Sequence, residues 1–218
     1  KFLLDTNSKK IYLHYLLWQR RAGITAKKLH LKVKFDTGHH VTFGSLQQGT
    51  FLWKLKNIKK IFGPVGGGQE ALPALKEYIG NTWKIEMLRS FISKWRVRFS
   101  RNFKNTIRYC DYILVTNHDT KLMAENSNRG NTEKISFVPD TAVPPSMQQI
   151  PFTKKDVTGK IKILWVGRFL PRKGLNLILD ALSQVPKDID YSFTIVGGGE
   201  QFHLLDSWIE KYGIDRSK

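Results

Sequence analysis

Short runs of β-branched and aromatic residues alternate with helical stretches along this chain, and that alternation limits the fold more than any other feature. Residues 112–116 (YILVT) and 134–138 are apolar enough to be buried strands, and a helix is predicted between them at 120–126. Two strands joined through a helix form a βαβ unit with a parallel sheet. The same alternation returns at 160–166 and 191–196, so the sequence predicts the α/β class with Rossmann-like, doubly wound units.

Proline placement predicts how the elements divide into domains. Four prolines fall within residues 139–160, a stretch that lacks periodicity and is typical of a linker. We expect a first domain at 1–143, a linker at 144–160 and a second domain at 161–218. A doubly wound domain usually has about five or six strands, so we expect both domains to be incomplete, in a chain truncated at both ends. The other predicted elements are helices at 9–30, 81–108, 173–182 and 201–212, and strands at 34–43 and 57–62.

Basic residues are concentrated in the first two thirds of the chain. The formal net charge is +18, and residues 1–60 hold 13 basic and 2 acidic side chains, whereas residues 151–218 hold 11 and 8. Such a field attracts nucleic acid, acidic lipid head groups or phosphorylated small molecules, and charge alone does not choose among them.

Two strand-to-helix turns near the C-terminus carry residues suited to an anionic ligand. In the first (WVGRFLPRKGL), Arg168 and Lys173 flank the start of a helix, where amide groups and the helix dipole favour phosphate. In the second (TIVGGGEQ), three successive glycines let the backbone approach a ligand closely. On the residues alone, solvated side chains and ordinary loop chemistry remain the alternatives for both turns.

Four motifs follow one another along the chain: GPVGGG, DYILVTN with Thr120, ILWVGRFLPRKGLNLILDAL and FTIVGGGEQ. Together they resemble the retaining glycosyltransferases of family four, which are group 1 glycosyl transferases. The resemblance implies a GT-B fold, in which an acceptor-side N-terminal lobe faces a nucleotide-sugar-binding C-terminal lobe across a cleft. It implies that Arg168 and Lys173 hold the donor diphosphate. It also implies cleft loops formed by Gly66, Gly67, Gly68, Gly197, Gly198, Gly199 and Glu200.

The resemblance also singles out two histidines. Many family members carry histidines at the third and fifth positions after an aspartate that closes an N-lobe strand, and the second lies by the transferred sugar. Here Asp36 is followed by His39 and His40, while the fifth position is Val41. His39 and His40 are therefore the catalytic candidates, with a hydrogen-bonded packing role as the alternative. Their spacing does not match a usual metal site, so no metal is expected.

The segment 81–108 has three interpretations. Trp83, Met87, Phe91, Trp95 and Phe99 recur at helical spacing with Arg and Lys between them. The apolar stripe either packs on the sheet of the first domain or docks on an anionic membrane surface, as transferases of lipid-linked saccharides often do. Nucleic-acid binding is the third interpretation, but no nucleic-acid-binding module is legible and we do not expect it.

The resemblance therefore implies a retaining glycosyltransferase that moves a sugar from a nucleotide sugar, such as a UDP- or GDP-sugar, to a glycan or lipid-linked acceptor. In this family the leaving phosphate is commonly held to deprotonate the acceptor. The alternative is a non-enzymatic basic module that binds anionic membrane or nucleic acid. The lone Cys110 excludes an internal disulfide, and no apolar run reaches the roughly 20 residues of a membrane span. We expect a cytoplasmic protein, peripheral on the inner membrane face.

Overall fold

The computed structural model describes residues 8–41, 44–128, 130, 132–139, 141–148 and 159–215. Their chain contacts divide them into two compact units, the first within Lys1–Glu70 and Arg89–Pro144 and the second within Ala71–Leu88 and Pro145–Lys218. The helices are α1 Ser8–Val33, α2 Lys76–Ile79, α3 Trp83–Phe99, α4 Arg101–Tyr109, α5 His118–Ser127, α6 Pro145–Gln148, α7 Leu175–Ser183 and α8 Leu205–Lys211. The strands are β1 Thr37–His40, β2 Lys59–Val65, β3 Tyr112–Val115, β4 Ile135–Phe137, β5 Ile161–Val166 and β6 Tyr191–Val196.

The first unit contains a four-stranded parallel sheet in the order β1-β2-β3-β4. Phe62 of β2 lies opposite Ile113 of β3, which lies opposite Ile135 of β4. Their side chains join Phe103 and Ile107 of α4 in one buried cluster. Burial of such side chains is the main source of stability in a sheet covered by helices. The parallel pairing confirms the α/β class.

Strand β2 continues past the point at which the sequence predicts its end. The predicted strand stops before Gly63, whereas β2 runs on to Val65 with a shift of register between Phe62 and Val65. Gly63 has φ +121, and a Cβ there would lie 2.2 Å from the backbone oxygen of Leu114. Glycine is therefore required at this position by the close approach of β3, and it does not end the strand.

The segment 81–108, predicted as one helix, forms two helices, because the helical conformation is interrupted at Ser100. The Ser100 hydroxyl accepts a hydrogen bond from the Phe103 amide at 3.3 Å and caps the start of α4. The apolar stripe of α3 does not pack on the sheet: Met87, Phe91 and Trp95 are each more than half exposed, as is Phe99. The packed-stripe interpretation is therefore wrong for these residues.

The second unit contains β5 and β6, paired in parallel from Ile161–Tyr191 to Val166–Val196. On one face of this pair, the side chains of Trp165, Phe193 and Ile195 pack against Phe169 and the buried side of α7. The opposite face carries Leu164, Val166 and Val196, which are about half to two thirds exposed. Much of the predicted linker, residues 149–158, lies outside the described residues. Within the described ranges of the chain, no helix combines the length and the hydropathy that a membrane-crossing segment requires.

Candidate functional site

The turns that follow β5 and β6 are joined directly to each other. The Gly167 amide donates to the Val196 carbonyl at 3.0 Å, and the Phe169 amide donates to the Gly198 carbonyl at 2.9 Å. The Gln201 amide donates back to the Phe169 carbonyl at 3.1 Å. Because β5 and β6 are parallel, both turns leave the same edge of the sheet. The two glycine-containing turns thus form one continuous surface at the carboxyl ends of these strands, where open α/β sheets bind ligands.

The three glycines after β6 have different structural roles. A Cβ on Gly197 would lie 1.8 Å from the Gly167 oxygen, and a Cβ on Gly199 would lie 2.9 Å from the Phe169 nitrogen. Both residues have positive φ, +144 and +149 respectively. A Cβ on Gly198 would meet no atom within 4 Å, and this residue is exposed. Gly197 and Gly199 therefore hold the two turns together, while Gly198 and the exposed Glu200 border open space.

Three basic residues in the first turn differ in their partners. The Arg172 Nε lies 3.4 Å from a carboxylate oxygen of Glu86, which is largely buried. Arg168 and Lys173 are exposed, and neither side chain has a hydrogen bond or ion pair within the described part of the chain. Gly174 then adopts a left-handed conformation, and no side chain caps the start of α7. Two uncommitted cations and an uncapped helix start therefore lie within seven residues of each other.

The glycine loop after β2 is docked on its own unit. The Gly68 amide donates to the Thr120 hydroxyl at 2.9 Å, and the Thr120 amide donates to the Asn117 side chain at 2.9 Å. A Cβ on Gly68 would lie 2.5 Å from the Thr120 nitrogen. The Gln47 amide group donates to the carbonyl of Gly67, and the Gly66 amide donates to the Gly44 carbonyl at 2.9 Å. This loop is therefore fixed against the first turn of α5.

His39 points toward the strand end of β2. Its Nε2 lies 2.8 Å from the Gly63 carbonyl oxygen. A carbonyl oxygen can only accept a hydrogen bond, so Nε2 carries the proton and donates it. In the neutral ring Nδ1 is then left as an acceptor. The residue is exposed overall, and the structure places this predicted catalytic histidine against β2, at a position three residues before the predicted cleft glycines.

His40 faces the opposite side of β1, because successive side chains of a strand alternate. It is 4% exposed and lies among the rings of Trp18, Phe51 and Phe62. The Thr50 hydroxyl is 2.6 Å from its Nδ1. Burial, with a smaller contribution from His39, lowers the pKa of His40 from 6.5 to about 4. His40 is therefore a buried core residue of this unit, and its surroundings favour the neutral ring.

Two residues that sequence reasoning did not identify position these loops. Gln47 links the glycine loop to Ser93 of α3, at 2.8 Å from its hydroxyl, and no local pattern marks it. Glu86 forms an ion pair with Arg172. It is the only acidic residue between positions 81 and 110, and this isolation in the sequence could have identified it.

The remaining candidates for chemistry are a cysteine and a metal site. The Cys110 thiol is buried, and burial raises its pKa to about 12, so it is not a nucleophile. Within the described ranges, no three His, Cys, Asp or Glu side chains are grouped as metal ligands are.

Comparison with known proteins bears on the second unit. Residues 146–217 match the family of glycosyl transferases group 1. A segment of 51 residues is 35% identical to an uncharacterized glycosyltransferase of Methanocaldococcus jannaschii. That segment is 23% of this chain and spans only 13% of that relative's length. The last third of the chain, which carries the joined turns with Arg168 and Lys173, is thus similar to group 1 glycosyl transferases.

Proposed function

We propose that this chain is part of a retaining glycosyltransferase of family four, and that Arg168 and Lys173 bind the diphosphate of a nucleotide-sugar donor. The observation that carries the proposal is the difference among the three basic residues of the first turn. Arg172 is neutralised by Glu86, whereas Arg168 and Lys173 have no such partner among the described residues. The match to glycosyl transferases group 1 includes all three residues.

The chemistry of glycosyl transfer accounts for unpaired cations at this position. Cleavage of the anomeric C–O bond leaves a nucleoside diphosphate, and its negative charge grows in the transition state. Fixed cations and amide dipoles stabilise that developing charge more than they stabilise the ground state. Joining the two turns through Gly167 and Gly198 holds their backbones in place before the donor binds, which lowers the reorganisation cost.

The resemblance to the family supports the remaining parts of the proposal. The donor is a UDP- or GDP-sugar, and the acceptor is a glycan or a lipid-linked saccharide, in synthesis of a cell-surface polysaccharide or glycolipid. Of the two histidines we propose His39 for a role at the transferred sugar, since His40 is buried. Gly198 and Glu200 border the donor. The reaction requires no metal or other cofactor, and the protein works in the cytoplasm.

Binding of nucleoside diphosphates by the 218-residue chain tests this assignment. Arg168→Gln and Lys173→Gln should each weaken UDP or GDP binding by about 10- to 100-fold in isothermal titration calorimetry, because a hydrogen bond to a charged group contributes about 1.5–3 kcal/mol. Arg172→Gln is the matched control, because this arginine already pairs with Glu86. It should bind either nucleotide nearly as the native chain does. Equal losses in all three variants would refute the diphosphate assignment.

A second candidate function is favoured by the exposed stripe of α3. Phe91 and Trp95 are more than half exposed and are interleaved with Lys94, Arg96 and Arg98. This composition suits docking on an anionic membrane surface, with the enzyme peripheral on the inner face. Membrane docking is compatible both with a glycosyltransferase that works at the membrane and with a membrane-binding module that has no enzymatic activity. A chain that binds anionic vesicles in a salt-sensitive way, yet is unaffected by any nucleotide, would favour the non-enzymatic module.

A further inference from the structure

A cavity of about 910 Å³ opens in the helical layer of the first unit. Residues of α3 and α4 and of the C-terminal half of α5 line it. None of the glycines of the loop after β2 is among the lining residues, although Glu70, two residues after Gly68, is one of them. The lining residues of the cavity are Glu70, Lys94, Val97, Arg98, Phe103, Lys104, Ile107, Arg108, Met123, Asn126, Ser127 and Asn128.

The cavity wall carries an excess of positive charge. Lys94 and Arg98 lie one turn apart on α3, and Lys104 and Arg108 lie one turn apart on α4. Like charges at this spacing destabilise a helix, so folding alone gives no reason for two such pairs. Glu70 is the only acidic lining residue and lies 3.0 Å from Lys94, which leaves four cations against one carboxylate.

Three of the four cations have no carboxylate partner in the part of the chain that the structure describes. There the side chains of Arg98, Lys104 and Arg108 form no ion pair or hydrogen bond. Arg98 and Arg108 only lie over the rings that follow them in sequence, Phe99 and Tyr109. A site with this charge is complementary to an anionic group with several acceptor oxygens, such as a phosphate or a phosphodiester.

The floor of the cavity is apolar. Phe103 and Ile107 are buried and belong to the core of the unit, and Val97 and Met123 pack against that core. A hydrated inorganic anion gains no binding free energy from an apolar floor, whereas a phosphate attached to hydrocarbon can bury part of that hydrocarbon against it. The basic wall and the apolar floor together therefore favour an anionic amphiphile as the ligand.

The exposed ridge of α3 indicates where that amphiphile comes from. Phe91, Trp95 and Phe99 are 66%, 54% and 57% exposed and lie one turn apart on the helix that supplies Lys94 and Arg98. Aromatic side chains beside cations are typical of the membrane interface. A single cavity also suits one head group better than nucleic acid, which needs a basic groove that follows successive phosphates.

We propose that this cavity binds the phosphate of an anionic phospholipid head group, while the Phe91–Trp95–Phe99 ridge enters the lipid surface. The proposal rests on the membrane docking put forward above as a second candidate function. It adds a defined head-group site to that docking, formed by Arg98, Lys104 and Arg108 around an apolar floor. It does not depend on the assignment of Arg168 and Lys173.

Vesicle co-sedimentation of the 218-residue chain tests the site. The vesicles are phosphatidylcholine alone and phosphatidylcholine mixed with phosphatidylglycerol. Lys104→Gln with Arg108→Gln should weaken binding to the anionic vesicles by about 30-fold, since each basic residue near such a surface contributes about 1 kcal/mol. The matched control, Lys162→Gln with Lys187→Gln, removes the same charge from exposed positions of the second unit and should change binding less than about threefold. Glu70→Gln should strengthen binding, because it frees Lys94.

The outcomes separate the two levels of the proposal. Equal losses in the cavity pair and the control pair would show that binding follows net charge alone and would overturn the head-group site. Equal binding of the native chain to neutral and anionic vesicles would overturn both. Full competition by millimolar inorganic phosphate at constant ionic strength would assign the cavity to soluble phosphate and overturn the lipid source. All five side chains changed are exposed, so circular dichroism should show an unaltered fold.

Discussion

Acidification should destabilise the first unit through His40. This histidine is surrounded by Trp18, Phe51 and Phe62, and the Thr50 hydroxyl lies 2.6 Å from its Nδ1. The Tyr15 hydroxyl lies 3.4 Å from its Nε2. A hydroxyl can donate or accept a hydrogen bond, so these two contacts suit the neutral and the charged ring alike. Burial among the aromatic rings is what penalises the charged form.

The magnitude follows from the pKa of His40. It is lowered from 6.5 to about 4 by burial and, to a smaller extent, by His39. At about 1.4 kcal/mol for each tenfold change in proton affinity, this difference corresponds to about 3 kcal/mol. Between these two pKa values the unfolded chain binds a proton that the folded chain does not. The free energy of unfolding should therefore fall as the pH drops from about 6.5 towards about 4, and the full loss is reached below about pH 4.

Urea unfolding of the native chain and His40→Gln over this pH range isolates the effect. Ionisable groups that do not interact with position 40 contribute equally to both proteins, so the difference between their free energies of unfolding reports the His40 ring and its smaller interaction with His39. The native chain should lose about 3 kcal/mol relative to the variant between neutral pH and about pH 4. Parallel pH profiles would mean that the ring at position 40 titrates as an exposed histidine does. In that case the core assignment of His40 would fail, and its catalytic candidacy would return.

Two further predictions concern the second unit. Gly197→Ala should destabilise it by at least about 1–3 kcal/mol, because φ is +144 and a Cβ would lie 1.8 Å from the Gly167 oxygen. Gly198→Ala, with no atom near the added methyl group, should change the free energy of unfolding by less than about 0.5 kcal/mol, and equal effects would contradict the joined-turn geometry. The open face of β5 and β6 should make the chain self-associate in sedimentation velocity, and Leu164→Thr with Val166→Thr should reduce that association. A monodisperse native chain would show that this face does not drive contacts.

Local patterns were sufficient to predict the α/β class and most elements. A run such as YILVT carries its strand signal within five residues, and the glycines after β6 mark a turn wherever the rest of the chain lies. The strand predicted at 191–196 and the strand β6 agree, as do the predicted and observed ends of β5 at Val166. The break at Ser100 was also legible, since serine before a helical run is a common N-cap.

Tertiary contacts decided which candidate residues are buried or paired and which are exposed. His39 and His40 are adjacent and chemically identical, and only the packing of β1 against the core makes one of them a neutral interior residue. Likewise, the sequence does not distinguish among the three basic residues Arg168, Arg172 and Lys173. Only the ion pair with Glu86, more than eighty positions away, sets Arg172 apart. The grouping of Ala71–Leu88 with the second unit and the cavity between α3 and α4 depend on such contacts too. Short-range periodicity predicts secondary structure, whereas residues distant in the chain determine which side chains are buried and which charges are neutralised.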